Sequence, residues 1–346
     1  PDDIFKFMAD NGFFAMQIAK EYGGMPMSTQ AKSCIMAKVS SHSGLLSAMV
    51  VIPNSLGAAE LLGHYGTDEQ KQYYLPKLAN GEMIGAIAMT EPGAGSDLQG
   101  GKTTAVKNAS GDHFVLNGSK TFITNGQNAD IVIVVAKTDP SKGAKGISLF
   151  VVETDSEGFE KGTNLKKVGM KAQDTSELFF QDVKVPAENL LGEEGMGFIY
   201  LMQELPQERL GIAIGGLAMA EAALEHTINY VKERKAFGKP VAAFQNTQFK
   251  LAECKTEATV AKVFADHCTE RLLKEELDAA TASMSKYWIS DLQCKIIDEC
   301  LQLHGGFGYM DEYPIAQMYA DARVQRIYGG ANEVMKMLIA RTMWKE

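Results

Sequence analysis

Positive charge is in short supply. Against 43 aspartates and glutamates stand 34 lysines and arginines, a formal charge of -9, so nonspecific nucleic-acid binding, which needs a basic face, is excluded. A local basic patch for a phosphate ligand stays compatible with that charge. No run of about eighteen apolar residues occurs, and no transmembrane helix is expected. Cysteine is sparse. Cys34, Cys254, Cys268, Cys294 and Cys300 form an odd set without a C-x-x-C pair, which argues against a disulfide framework and against a zinc site. Several of them stand at helical core spacing, as small apolar fillers, and a reducing compartment fits that usage. The six histidines are dispersed, with no H-E-x-x-H, so no metal ligand set is visible. The opening "PDDIFKFMADNGFF" lacks the basic region and apolar run of a signal peptide. It begins directly in a helical pattern, which leaves open a targeting segment removed upstream.

What is present divides by period. The 346 residues, 45% hydrophobic, suffice for about two domains or one large one. Residues 1–85 read as helices with short breaks at "EYGG" and "GHYGTDEQ", where Thr67 can cap the helix "DEQKQYYLPKLANG". Short β-type runs fill 86–194. "DIVIVVA" is apolar on both faces and predicts a central strand, and Asn117-Gly118 between two runs predicts a type I′ hairpin. The helical period returns over 195–346, where Leu251, Cys254, Ala258, Ala261, Ala265, Cys268 and Leu272 make one apolar stripe on a long helix. The expected fold class is α+β: an N-terminal helical domain, a central β-barrel-like domain and a C-terminal helical bundle.

Five segments carry chemistry. "AMTEPGAGSD" (Ala88 to Asp97) leaves a strand and enters a Gly-rich turn. It lacks the third glycine and the following helix of a dinucleotide fingerprint, so a Rossmann site is a poor reading. "KTFITNG" repeats the pattern of strand, aromatic, hydroxyl and turn. "ERKAFGKPVAAFQ" joins a basic cluster to an aromatic and a glycine, and "QLHGGFGY" and "QRIYGGANEVM" add two glycine turns. In this order, over nearly the whole chain, these segments resemble the acyl-CoA dehydrogenase family.

The resemblance implies a bound FAD. Met89, Thr90, Phe122 and Thr124 would lie against the flavin ring; taken alone, Phe122 could be a strand core residue. Ser96 matches a contact to flavin phosphate or to the thioester arm, against the plain reading of a turn serine. Arg234, Phe237 and Gln245 match residues that reach the FAD of a neighbouring subunit, so a homodimer or homotetramer is implied; a solvated helix end would look similar. Gln302, Gly305 and Gly306 match the turn beside the adenosine half. Asn332 and Glu333 open the last helix, whose N-terminus suits phosphate or polar atoms, and Ala331 stands where the family commonly has Thr, which weakens the cap.

The implied reaction is α,β-dehydrogenation of a fatty acyl-CoA to the trans-2-enoyl-CoA, with electrons passed to an electron-transferring flavoprotein. Many members carry a glutamate base directly after the Tyr of the Y-x-G turn, where this chain has Gly329. Its backbone N–H can still serve the thioester oxygen. Long-chain and isovaleryl-type members place the base on an earlier helix, and Glu208 holds that position among Leu205, Leu210 and Ile212, with Arg209 beside it as a candidate substrate contact. Glu204 is the rival base. Gly211, Gly215 and Gly216 follow on the face of Glu208, leaving room either for an acyl chain or for close helix packing. Ile52-Pro53 is implied as a pocket floor. A medium or long straight chain is the expected substrate, in a bacterial cytoplasm or a mitochondrial matrix. The competing functions are an acyl-CoA oxidase and a catalytically silent FAD- or CoA-binding scaffold.

Overall fold

The two periods give two kinds of element. The computed structural model describes residues 2–44, 46 and 57–344. Its α-helices are α1 (Asp2–Asp10), α2 (Thr29–Ser40), α3 (Ala58–Tyr65), α4 (Asp68–Ala79), α5 (Gly197–Glu233), α6 (Gln245–Leu273), α7 (Ala279–His304), α8 (Pro314–Ala322) and α9 (Asn332–Met343). Its strands are β1 (Gly85–Ala88), β2 (Thr104–Lys107), β3 (His113–Thr124), β4 (Ile131–Lys137), β5 (Ile147–Glu153), β6 (Phe159–Asn164), β7 (Thr175–Pro186), β8 (Leu190–Leu191), β9 (Lys235–Ala236) and β10 (Lys239–Pro240). The chain gathers into two compact units, one from residues within 1–27, 52–166 and 171–204, the other from residues within 28–51, 167–170 and 205–346.

In the first unit the sheet runs β6-β7-β3-β2-β4-β5-β8, with β1 beside β4. β4 is its middle, parallel to β1 and antiparallel to β5. Six of its seven residues are buried, as expected of "DIVIVVA", because covering both faces removes any need for alternation. Phe114, Leu116, Val134, Phe150, Leu178 and Phe180 share one core. β5 also meets β7, with three strands between them in the sheet order, so the sheet curls round that core. Thr67 caps α4 as expected, within a full capping box in which Gln70 N–H donates to Thr67 Oγ1 at 3.2 Å and Thr67 N–H to Gln70 Oε1 at 3.0 Å.

The expected hairpin at Asn117-Gly118 is absent. β3 runs straight through both residues and slips register against β7 between Leu116 and Gly118, a β-bulge. The strand reverses earlier, at 108–113, where Asn108 N–H donates to His113 O. Two local contacts override the turn propensity. Asn117 exchanges hydrogen bonds with Asp182 at 2.9 and 2.8 Å, and a Cβ on Gly118 would sit 2.8 Å from Thr103 Cα. The glycine here serves a close approach of two backbones.

In the second unit the small stripe on α6 is buried at Cys254, Ala258, Ala261, Ala265 and Cys268. Cys254, Ala258, Ala261 and Ala265 of that stripe join Ala213 and Ala220 of α5 and Ile289, Ile296 and Cys300 of α7 in one core. Burial pushes the thiols of Cys254 and Cys268 up to about 11 and that of Cys300 up to about 12. They are protonated fillers, not nucleophiles. α5 continues through Pro206; proline has no N–H, so the carbonyl one turn earlier loses its helical donor.

Gly118→Ala is expected to cost about 1–3 kcal/mol by crowding Thr103. The measurement is urea unfolding, and the expected result is a lower midpoint at unchanged slope.

Candidate active site

β1 delivers Met89 and Thr90 to the Gly-rich turn, and Glu91 then turns inward. Glu91 is 8% exposed. Its carboxylate accepts from the N–H of Thr103 and Lys102 and from Lys120 Nζ at 2.9 Å. Lys120, 2% exposed, also donates to Met89 O at 3.1 Å. Burial pushes Glu91 up, but the donated hydrogen bonds and the ammonium outweigh it and hold the carboxyl down at about 2. This buried pair ties the turn to β3, and Thr121 N–H donates to Thr90 O beside it. Neither Glu91 nor Lys120 stood out as a site residue in the sequence. The available signal was Lys120 on an inward position of an apolar strand.

At the far end of β3 the register slips again, between Lys120 and Ile123. Phe122 takes a left-handed backbone there, φ 59, which is costly for an aromatic residue. Its ring is 66% exposed. The strand-core alternative for Phe122 is therefore wrong, and the bulge presents the ring outward. Among the described residues, the hydroxyls of Thr90 and Thr124 make no hydrogen bond within the chain. Ser96 lies exposed in the turn.

The second unit holds a cleft of about 510 Å³ lined by Arg234, Gln302, Gly305, Gly306 and Phe307, with Tyr230, Val241, Leu303, His304 and Met310. Four residues expected from separate segments thus meet. Arg234 stands 5.3 Å over the Phe307 ring, and Tyr230 stacks on His304 at 4.2 Å. Phe237 and Gln245 do not line this cleft. Phe237 sits with Gly238 at the tip of the β9–β10 hairpin, both with positive φ (52 and 78), and is 96% exposed. Such a turn demands left-handed residues, and here an aromatic takes that cost while pointing into open space. Gln245 is the exposed first residue of α6.

Glu208 is half-buried on α5. One helical turn later on the same face, Ile212 fills the place where a Cβ on Gly329 would stand, and Gly329 itself has φ 62. Tyr328, before it, has its hydroxyl raised by desolvation and by the charges of Glu208 and Asp321. Arg209 is 5% exposed and turned inward, its Nη1 3.4 Å from Ser283 Oγ; burial lowers its pKa and the Glu208 charge opposes. Glu204 belongs to a different cluster. It accepts from Tyr65 at 2.8 Å and pairs with His64 Nδ1 at 2.8 Å. Burial raises its pKa, but the hydrogen bonds from His64 and Tyr65 win and lower it, while His64 is raised chiefly by the same contact. Glu60, His64 and Glu204 bring possible ligand atoms within 4.8 Å of one another, a grouping their sequence spacing hides.

α9 starts at Asn332 behind Ala331, which gives no side-chain cap bond. Asn332 is 2% exposed and its side chain is turned inward, donating to Tyr287 O, Ser290 Oγ and Asp291 Oδ1. Only its backbone is left for a ligand; Glu333 is exposed. Lys286 Nζ donates to Asn332 Oδ1 at 2.9 Å and to Gly330 O at 2.7 Å. Burial, with the Arg209 charge adding, pulls Lys286 down to about 8. A Cβ on Gly216 would lie 2.7 Å from Gln293 Oε1, so helix packing accounts for that glycine. A Cβ on Gly211 would lie 3.3 Å from the Met36 methyl. Ile52-Pro53 lies outside the described residues.

Glu91→Gln strands the Lys120 ammonium and is expected to destabilise the chain by roughly 3–5 kcal/mol at neutral pH. Burial lowers Lys120 as well, so part of the carboxylate's contribution is already offset. The folded-state pKa is depressed from 4.5 to about 2, so the contribution is full above pH 4.5 and drains away as pH falls towards 2. Denaturation at pH 7 and pH 3 should show the gap between wild type and variant narrowing in acid.

Comparison with known proteins places this arrangement. Family models of the acyl-CoA dehydrogenase N-terminal, middle and C-terminal domains match residues 1–82, 86–183 and 195–344. The mitochondrial long-chain specific acyl-CoA dehydrogenase of Mus musculus is 52% identical over 351 residues, covering 98% of this chain and 78% of that protein. A 3-(aryl)acrylate reductase of Clostridium sporogenes is 42% identical, covering 100% of this chain and 91% of the relative. The crystal structure of an acyl-CoA dehydrogenase complexed with FAD from Bacillus anthracis matches with a TM-score of 0.92 at 34% identity, covering 99% of this chain and 61% of that one.

FAD is the family's cofactor, and the residues present fit it. Gly93 and Gly306 have no positive φ and nothing within 4 Å of a Cβ. Neither strain nor crowding inside the chain requires glycine there, and each leaves bare backbone for a ligand to lie against. Taken separately, the two unengaged threonine hydroxyls and the outward Phe122 ring of the first unit, and the Arg234 cleft of the second, have polar, aromatic and cationic chemistry compatible with a flavin dinucleotide. The chain belongs to the acyl-CoA dehydrogenase family, FAD-dependent oxidoreductases of fatty-acid β-oxidation.

Proposed function

We propose that the chain oxidises a medium- or long-chain, straight fatty acyl-CoA to the trans-2-enoyl-CoA, with Glu208 as the base and an electron-transferring flavoprotein as acceptor. The observation that carries this reading is the turn at 328–330. Gly329 at φ 62 with Ile212 against it leaves no seat for a carboxylate, while Glu208 stands one turn before Ile212, near enough to act on Tyr328. Glu204 is bound to His64 and Tyr65 and is the weaker candidate.

When bound, FAD supplies the acceptor for the hydride leaving Cβ. Glu208 takes the Cα proton, with Leu205, Leu210 and Ile212 keeping water away. The Gly329 N–H donates to the thioester oxygen as negative charge grows there. Thr90 and Thr124 orient the ring edge, Phe122 covers its face, and Ser96 meets the phosphate or the thioester arm. Arg234 offers a forked donor to the pyrophosphate of a neighbouring subunit's cofactor, with Phe237 and Gln245, in a homodimer or homotetramer. Gln302, Gly305 and Gly306 flank the adenosine half. The relative named as a long-chain dehydrogenase supports the chain length. A second reading, reduction of an α,β-unsaturated substrate, draws on the relative named as a 3-(aryl)acrylate reductase; Glu208 then returns a proton to Cα. Relatives named as mitochondrial and bacterial enzymes leave both the matrix and a bacterial cytoplasm as settings.

Glu208→Gln is expected to keep FAD and acyl-CoA bound but to slow anaerobic bleaching of the flavin by ~10²–10⁴-fold. Near-normal bleaching would move the role to another carboxylate, and an unbleached wild type would mark a silent scaffold. Peroxide formed in air during turnover would mark an oxidase. Adding Gly329→Glu together with Ile212→Val, which removes the methyl that crowds the position, should restore part of the rate.

Arg234→Ala should release FAD on dilution or gel filtration without lowering the unfolding midpoint of the apoprotein. A fully FAD-loaded monomer in solution would overturn the shared-site reading.

A further inference from the structure

Lys286 is 0% exposed, yet the mechanism above gives it no task. Lysine is almost never fully buried unless paired, and here no carboxylate holds it among the described residues. Its ammonium donates to the Gly330 carbonyl at 2.7 Å and to Asn332 Oδ1 at 2.9 Å. Asn332 is anchored in turn to Ser290 Oγ and Asp291 Oδ1, both at 3.0 Å. All these side chains come from α7 or from the start of α9, and all converge on the segment after Gly329.

That segment needs an outside hold. Gly329 and Gly330 have φ 62 and 92 in succession, and glycine, lacking Cβ, does not hold such angles by itself. Upstream, Tyr328 N–H is tied to Val324 O. Downstream, the Lys286 contact to Gly330 O is the matching tie. Between the two ties stands the Gly329 N–H, which has no acceptor in the chain among the described residues. An apolar side chain of similar length would fill the same space without the cost of burying an ammonium, so the contact to the turn is what the charge supplies.

We propose that Lys286 is a positioning residue for the reaction, gripping the Gly330 carbonyl and Asn332 so that the Gly329 N–H stays aimed at the thioester oxygen. This rests on the dehydrogenase reading given above. Aiming one donor affects the step in which charge develops more than it affects binding, because a small misplacement of a group costs up to about 100-fold in rate.

The test uses the FAD-loaded protein and Lys286→Met, which keeps an unbranched chain of similar volume. Hydrogen–deuterium exchange followed by mass spectrometry reads the turn directly. Peptides within 325–335 should exchange about tenfold faster, while those from the sheet of the first unit stay unchanged. Stopped-flow reduction by an acyl-CoA should show a limiting rate lower by about 10–100-fold, with the acyl-CoA dissociation constant moved less than about threefold. Lys286→Gln keeps an N–H donor and should recover part of both. Exchange and limiting rate both within about twofold of wild type would overturn the proposal. So would a rise in exchange across the whole chain with a rate loss that tracks the unfolded fraction. The two arms also separate this inference from the reading it rests on. A wild type that acyl-CoA does not bleach removes the reaction and the catalytic half of the proposal, while unchanged exchange at 325–335 removes the clamp alone.

Discussion

Two successive left-handed glycines, Gly329 against Ile212 and Gly330 against Met335, set what the turn at 328–330 can present. A backbone at φ 62 with a methyl group in the Cβ position accepts no side chain without rearrangement. The turn can therefore offer N–H groups but not a base, and a carboxylate has to come from elsewhere. In the reading proposed above, Glu208 on α5 takes that role. The same turn has no stiffness of its own, and the buried charge of Lys286 and the inward amide of Asn332 hold it to α7. In that reading the positions of base, donor and clamp all follow from the absence of one Cβ.

A parallel logic operates in the first unit. The Glu91–Lys120 pair is buried and hydrogen-bonded on several sides. Buried pairs add little net stability over apolar packing, but they fix geometry, since breaking them leaves a charge stranded. Here the geometry fixed is that of a loop whose glycines face open space. Aromatic display follows the opposite principle. Phe122 and Phe237 both stand on strained backbone and both are exposed. Strain kept at two outward-facing aromatics is consistent with the covering roles proposed for them.

How much of this was legible varies with the range of the interaction. Periodicity marked β4 and the α6 stripe, because each depends only on its own side chains. Thr67 and its helix were readable for the same reason. Asn117-Gly118 misled, since the turn preference of that pair is weaker than the demand of Thr103 and Asp182, which are distant in sequence. The family was legible through the ordered glycine segments, and the role given to Glu208 rests on that resemblance, which encodes positions that local pattern does not. Lys120 and Lys286 were hidden in plain view. Each occupies an apolar register, Lys120 on an inward strand position and Lys286 in line with Ala282, Ile289 and Gln293 on α7. A charged residue on such a stripe is a signal, but its partners, Glu91 and the Gly330 carbonyl, are known only from the fold. The Glu60–His64–Glu204 cluster had no local sequence signal, because Glu204 lies 140 residues beyond His64.

Ala331 gives the last helix no side-chain cap. The first N–H groups of α9 are thus left for whatever polar atom settles against them, and a helix start of this kind gives up about 1 kcal/mol relative to a capped one. Occupancy and local order become one equilibrium. A group that binds those N–H donors tightens the helix, and by linkage anything that tightens the helix strengthens the grip on that group. A polar group bound at those N–H donors would therefore be felt along the start of α9, as added order in a helix that its own sequence leaves uncapped.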